Sequence, residues 1–365
     1  MADYRLISSD SHVTFPVDSW PEYLPENLRE KAPKIVRTDE GDFTEFEGRR
    51  TPINTLSNLA GKKPEDYTLN VRRLEDQRAG ASDPVERLKD MDLDGVDAEV
   101  LYVGGPLMSQ DNELRLASFD GYNRWLADYS SHAPKRLLGM GAVAIDTPEM
   151  AAHYVRQIKE LGLAGAYIPL FPGRDDDYGN PAWNVLWDAF QETGLPIGLH
   201  VGGRRPGTPT KGLFESAPQF MTGLVMSKMT MAEAVSELIH GLVMQRYPDL
   251  KFIAVEGQIG WISFFEYYSD HIWEKHRYWT KSELKEPPSH YFRRQVFGTF
   301  MEDPVGLRER HYIGIDNIMW ASDYPHSETT WPNSKSLTDE WFTPYGEEDK
   351  AKILWENCAK LYGLV

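Results

Sequence analysis

Three short stretches of this chain place carboxylates and imidazoles where they could do chemistry together. The first reads Ile7-Ser8-Ser9-Asp10-Ser11-His12. In a strand, residues i and i+2 share a face, so Asp10 and His12 project together and can hold one divalent ion. The second is Ile197-Gly198-Leu199-His200, followed by Val201-Gly202-Gly203, where glycines let a ligand approach the backbone. The third is Trp320-Ala321-Ser322-Asp323-Tyr324-Pro325-His326. A carboxylate closing such an apolar run needs a partner, because an unpaired buried charge is costly. Taken singly, each stretch has an ordinary reading as a polar strand end or a satisfied core histidine. Together they offer nitrogen and oxygen donors without thiolate, a set that suits zinc or manganese.

Those side chains meet only if the elements carrying them are arranged to bring them together. Eight β-rich runs are expected, at Tyr4–Val13, Ala98–Val103, Leu137–Ile145, Ala164–Leu170, Pro196–Val201, Lys251–Glu256, Gln295–Phe300 and Asn317–Ser322. Helical patterns separate them, at Pro84–Asp94, Glu113–Ser131, Pro148–Leu161, Pro181–Glu192, Met226–Arg246 and Glu348–Leu361. Alternation of this kind predicts parallel strands with helical crossovers. No Gly-x-Gly-x-x-Gly follows the first strand and no P-loop occurs, which argues against an open nucleotide-binding sheet. The expected fold is one α/β domain over 1–365, a distorted (β/α)8 TIM barrel. In such a barrel the carboxyl ends of the strands form the active-site face. Asp10, His12, His200 and Asp323 end predicted strands one, five and eight, so they converge there. Residues 37–82 and 264–294 break the repeat and read as insertions on that face, the second aromatic enough to form a lid.

Composition narrows the partners. The 365 residues carry 39 Lys and Arg against 56 Asp and Glu, a net charge of −17. Such a chain repels phosphate backbones and anionic headgroups, so no nucleic acid and no membrane are expected, only a small-molecule substrate. The single Cys358 excludes an internal disulfide and a thiolate cluster. The opening Met1-Ala2-Asp3-Tyr4-Arg5 lacks a basic segment leading into an apolar run, and a cytoplasmic location is expected. A nucleophilic serine lacks its Gly-x-Ser-x-Gly elbow.

The sequence resembles the amidohydrolase superfamily, in the branch that includes aminocarboxymuconate-semialdehyde decarboxylase and the aromatic-acid decarboxylases. The resemblance is carried by Ser9-Asp10-Ser11-His12, Met91-Asp92-Leu93-Asp94-Gly95-Val96-Asp97 and Asn123-Arg124-Trp125-Leu126. It continues through Leu199-His200, Arg246-Tyr247-Pro248-Asp249-Leu250-Lys251 and Ala321-Ser322-Asp323-Tyr324-Pro325-His326. It implies one divalent ion, zinc or manganese, held by Asp10, His12, His200 and Asp323, and a homodimer or higher homo-oligomer. Two positions depart from the decarboxylase pattern. Asp10 stands where those enzymes carry His or Glu, and Ala254-Val255-Glu256-Gly257 replaces their sixth-strand histidine. Glu256 suits activation of water, so the first expectation is a hydrolase of a small organic acid or cyclic carbonyl compound. The alternative is non-oxidative decarboxylation of an aromatic or unsaturated acid. Glu256, His326 and His240 are the acid/base candidates. Arg204 and Arg205, just past His200, are candidates for an anionic substrate, since a guanidinium fork matches a carboxylate.

Overall fold

The computed structural model describes residues 5–53, 58–68, 73–202, 205 and 216–365. Eleven strands are present among them: β1 (Ile7–Val13), β2 (Lys34–Arg37), β3 (Asp42–Phe46), β4 (Arg49–Pro52), β5 (Ala98–Val103), β6 (Leu137–Ala142), β7 (Gly165–Ile168), β8 (Ile197–His200), β9 (Phe252–Val255), β10 (Val296–Phe300) and β11 (Ile318–Trp320). Eight of them pair in the order β1-β5-β6-β7-β8-β9-β10-β11, every pair parallel. This is a (β/α)8 barrel. Its strands are short and almost wholly buried because helices cover the outside and side chains fill the inside. Gly198 is part of that filling: a Cβ there would come 2.9 Å from the Tyr102 ring.

The barrel closes between β11 and β1 through a polar seam, not a regular ladder. Asp323 N–H donates to Asp10 O at 3.0 Å, and His12 N–H to Tyr324 O at 2.6 Å. Ser9 Oγ donates to Trp320 O, while Ser8 Oγ accepts from Ser322 N–H. Between Ser8 and Ser11 the register of β1 against β5 shifts by one residue. Such a bulge re-aims side chains and is common at barrel rims and active sites. Asp10 lies inside it.

Two features differ from the sequence-based expectation. The polar insertion begins at Lys34 and contains a three-stranded antiparallel sheet, β2-β3-β4. It sits over the carboxyl ends of the strands, where Glu47 accepts from Ser109 Oγ and Gln110 N–H, just beyond β5. Residues 264–294, by contrast, are no added lid. They lie in the helices Ile262–Thr280 and Pro288–Gln295 and the short connection between them, the crossover from β9 to β10. Phe264, Tyr267, Tyr268 and His271 recur at helical spacing, so their density marks one helix face.

Candidate active site

Strand ends bring six of the sequence-predicted residues to one place. Asp10 and His12 come from β1, His200 from β8 and Glu256 from the residue after β9; Asp323 and His326 follow β11. Ligand atoms of Asp10, His12, His200 and Glu256 all lie within 4.8 Å of one another, as do those of His12, Glu256, Asp323 and His326. His12 Nε2 stands 3.1 Å from Asp323 Oδ1 and 3.5 Å from Asp10 Oδ1. His200 Nε2 is 3.8 Å from Asp10 Oδ1 and 3.7 Å from Glu256 Oε2.

Local backbone explains why the two trailing carboxylates turn inward. Glu256 and Asp323 both have φ of 56°, in the left-handed region that non-glycine residues seldom occupy. The conformation is held from outside: Glu256 N–H donates to Thr299 Oγ1 at 2.8 Å and Asp323 N–H to Asp10 O. Strain of this kind persists only where neighbours over-determine it, and functional sites are where it gathers. His12 is fixed from below. Arg87, fully buried on the helix Pro84–Asp94, donates to the His12 carbonyl at 2.7 Å and to Glu99 Oε2 at 2.5 Å.

The polar atoms facing the centre lack hydrogen-bond partners. Both oxygens of Asp10, Nε2 of His12 and of His200, and Oδ1 of Asp323 are buried and unsatisfied. Each such atom costs about 1–3 kcal/mol, and five of them rival the roughly 5–15 kcal/mol that holds a domain together. A single cation among them removes that penalty. Two atoms that each ligate one ion at about 2.1 Å stand about 3.0–3.4 Å apart, close to the spacings found here. Histidine chemistry agrees. His200 Nδ1 meets Val201 O at 2.9 Å, which leaves Nε2 to face the cluster. Burial, aided by the His326 charge, holds His12 well below the usual imidazole range, so it presents a lone pair. Burial also disfavours the charged form of His200, but the Asp10 and Glu256 carboxylates outweigh it and raise His200 to about 9, so a cation entering the cluster must displace its proton. The residues present fit one divalent metal ion.

The remaining predicted residues fall in different places. His326 stacks on His12, ring centroids 3.7 Å apart, and its Nδ1 lies 3.3 Å from Asp323 Oδ1. Burial opposes its protonation, yet the Asp323 carboxylate prevails and raises its pKa. His240 is exposed at the end of the helix Ala217–His240 and is not gathered with the others. Arg205 is engaged by Glu237 and Glu233 and lies over the Phe171 ring. Arg204 lies outside the described residues. Two residues that sequence reasoning missed join the rim: Lys228 Nζ donates to Glu256 Oε1 at 2.9 Å and stands 3.6 Å from Glu328 Oε2. Its one trace in the sequence is that it is the lone charge between Ala217 and Ala232.

The amidohydrolase family profile matches residues 10–364. The chain belongs to the amidohydrolase family. Among curated relatives of this amidohydrolase, the gamma-resorcylate decarboxylase of Polaromonas sp. is 26% identical over 300 residues, covering 76% of this chain and 86% of that protein. An amidohydrolase from Mycobacterium avium subsp. paratuberculosis has the same fold, with a TM-score of 0.75, 20% identity and full coverage of both chains. A dihydroxybenzoic acid decarboxylase from Polaromonas sp., solved with manganese and 2-nitroresorcinol, aligns with a TM-score of 0.65 and 20% identity over 99% of this chain and 97% of that one. The curated relative favours the decarboxylase alternative over the hydrolase expectation drawn from Glu256. No helix among the described residues is long and apolar enough to cross a membrane.

Proposed function

We propose that this amidohydrolase is a metal-dependent, non-oxidative decarboxylase of an aromatic or unsaturated carboxylic acid. Asp10, His12, His200 and Asp323 would hold the ion, manganese or zinc. When bound, the ion would supply a Lewis acid that polarises the substrate carboxylate and neutralises charge. The reaction then asks one thing of the protein: a proton for the carbon that loses carbon dioxide. The bond to the carboxylate breaks, its electron pair stays on that carbon, and the proton takes its place. His326 carries this reading. Its ring is braced on His12 and its Nδ1 faces Asp323, so Nε2 is left to hold the transferable proton. Arg205 would have to leave Glu237 to touch an anionic substrate, whereas Lys228 already sets a cation against the cluster.

Glu256 keeps a hydrolytic reading in play, because a carboxylate at this position is a sufficient base for water. One experiment separates the two. Metal-loaded protein is offered a panel of hydroxybenzoates and unsaturated acids in heavy water, and separately in 18O water. Decarboxylation yields one carbon dioxide per product and one deuterium at the vacated carbon. A product that gains 18O with no carbon dioxide released would replace the proposal with hydrolysis. The assembly we infer is a homodimer.

A further inference from the structure

We propose that Lys228 is a positioning residue that keeps Glu256 out of the metal's coordination sphere and thereby leaves a position on the ion open to the substrate. The inference rests on the reading that one ion sits among Asp10, His12, His200 and Asp323. Donor chemistry alone does not separate Glu256 from those four. It is a carboxylate at a strand end, and its oxygens stand within 4.8 Å of ligand atoms in both groupings. The difference lies in what each oxygen touches. Both oxygens of Asp10 are unpartnered. Glu256 Oε1 instead accepts a charge-assisted hydrogen bond from Lys228 Nζ at 2.9 Å, while Oε2 faces His200 at 3.7 Å. One oxygen is committed and the other is aimed.

Lys228 is itself placed with some care. It belongs to the helix Ala217–His240, whose first sixteen residues hold no other charge, and its side chain is only 15% exposed. An ammonium is costly to bury unless it is paired. Glu256 approaches from the end of β9, and Glu328, whose Oε2 is 3.6 Å away, comes from the segment after β11. The lysine therefore ties three separate elements together at the edge of the cluster. A buried ion pair with only an architectural role can often be replaced by apolar side chains at no loss. A pair that restrains a competing ligand cannot.

The two roles predict opposite signs. Lys228→Met removes a positive charge beside a cation site and frees a carboxylate, so Mn2+ should bind more tightly, on the order of tenfold. Turnover per bound metal should fall, roughly 10–100-fold, as Glu256 joins the ligands. Lys228→Arg keeps the charge and should hold Mn2+ affinity near that of the wild type. If the lysine acts through Glu256, its removal from a Glu256→Gln background should cost no further turnover, and the gain in Mn2+ affinity should shrink. Metal-stripped wild-type, K228M, K228R, E256Q and the E256Q/K228M double variant are titrated with Mn2+ by electron paramagnetic resonance of the free ion. K228Q stands in if K228M does not fold. Unchanged or weaker Mn2+ binding in K228M, or an equal loss of turnover in the E256Q background, overturns the proposal. Tighter Mn2+ binding with no acid decarboxylated by the wild type leaves Lys228 in its role and removes the decarboxylase reading. A wild-type protein that takes up no Mn2+ removes both.

Discussion

In the proposed metal site, His200 is the donor with the least freedom. Its Nδ1 is occupied by the Val201 carbonyl, and only Nε2 is left to face Asp10 and Glu256. Loss of that nitrogen should leave the remaining donors too few to retain metal. His200→Ala is therefore expected to lose stoichiometric metal and activity, while the far-ultraviolet dichroism and the unfolding midpoint of metal-free protein stay near those of the wild type. The residue caps a four-residue strand and is partly exposed, so truncation leaves the buried core intact. Full metal occupancy in this variant would take His200 out of the donor set. These side chains were readable in the sequence because each lies at the end of a predicted strand, Asp10 and His12 by their i, i+2 spacing and His200, Glu256 and Asp323 after apolar runs, and the ends of barrel strands share one face. Lys228 and Glu328 were not, since a helix-borne lysine and a loop glutamate have no fixed register with strand ends. Arg87 left no signal either: its guanidinium supports the His12 carbonyl from a helix that reads as ordinary surface structure.

Among the elements, the eight barrel strands were legible for a simple reason. Parallel strands buried on both faces read as short apolar runs, and several are set off by a helix with a clear cap, such as Asp83, which accepts from Val85 and Glu86 N–H. The sheet β2-β3-β4 has no such signature. Its strands are four or five residues long and largely exposed, and charge pairing holds them more than apolar alternation does. Asp42 is the centre of that pairing: Arg37 grips both of its oxygens at 2.9 Å, Arg73 adds a third bond, and Leu74 N–H a fourth. The Arg37 guanidinium, with Leu74 N–H and Arg73, holds the Asp42 carboxyl well below the ordinary carboxylate range. An unfolded aspartate takes up its proton near pH ~3.9, whereas the folded one resists to lower pH. The stabilisation is thus complete above about pH 4 and is lost as the pH falls further. Asp42→Asn should speed proteolysis and amide exchange in residues 34–52 at pH 7, and the gap to wild type should begin to narrow below about pH 4 and keep narrowing as the pH falls towards the lower folded value. A gap that persists in acid would assign the sheet's stability to packing instead.

For the whole molecule, the open question is what covers its apolar exterior. On the helix Ala217–His240, Met221, Leu224, Val225, Met226 and Met229 are exposed; on Ile262–Thr280, so are Phe264, Tyr267 and Tyr268. Both helices pack on Pro288–Gln295. Large apolar side chains between about two-fifths and two-thirds exposed add up to an area on the order of several hundred Å2. That approaches the roughly 800 Å2 per partner of a standard interface. Charge points to the same face. A chain with a net charge of −17 repels its own copies, yet the exposed side of residues 217–232 carries no charge, because Lys228 turns inward to Glu256. Methionine and aromatic residues with charges depleted are the composition of an interface core. A second copy of the chain is the partner that fits, most simply across a two-fold axis. Light scattering at assay concentration should therefore give twice the chain mass. Val225→Asp combined with Met226→Asp sets two like charges on each side of that contact and should yield monomers with unchanged helical content. A wild-type monomer contradicts the homodimer, and an aspartate variant that stays dimeric moves the interface to another face.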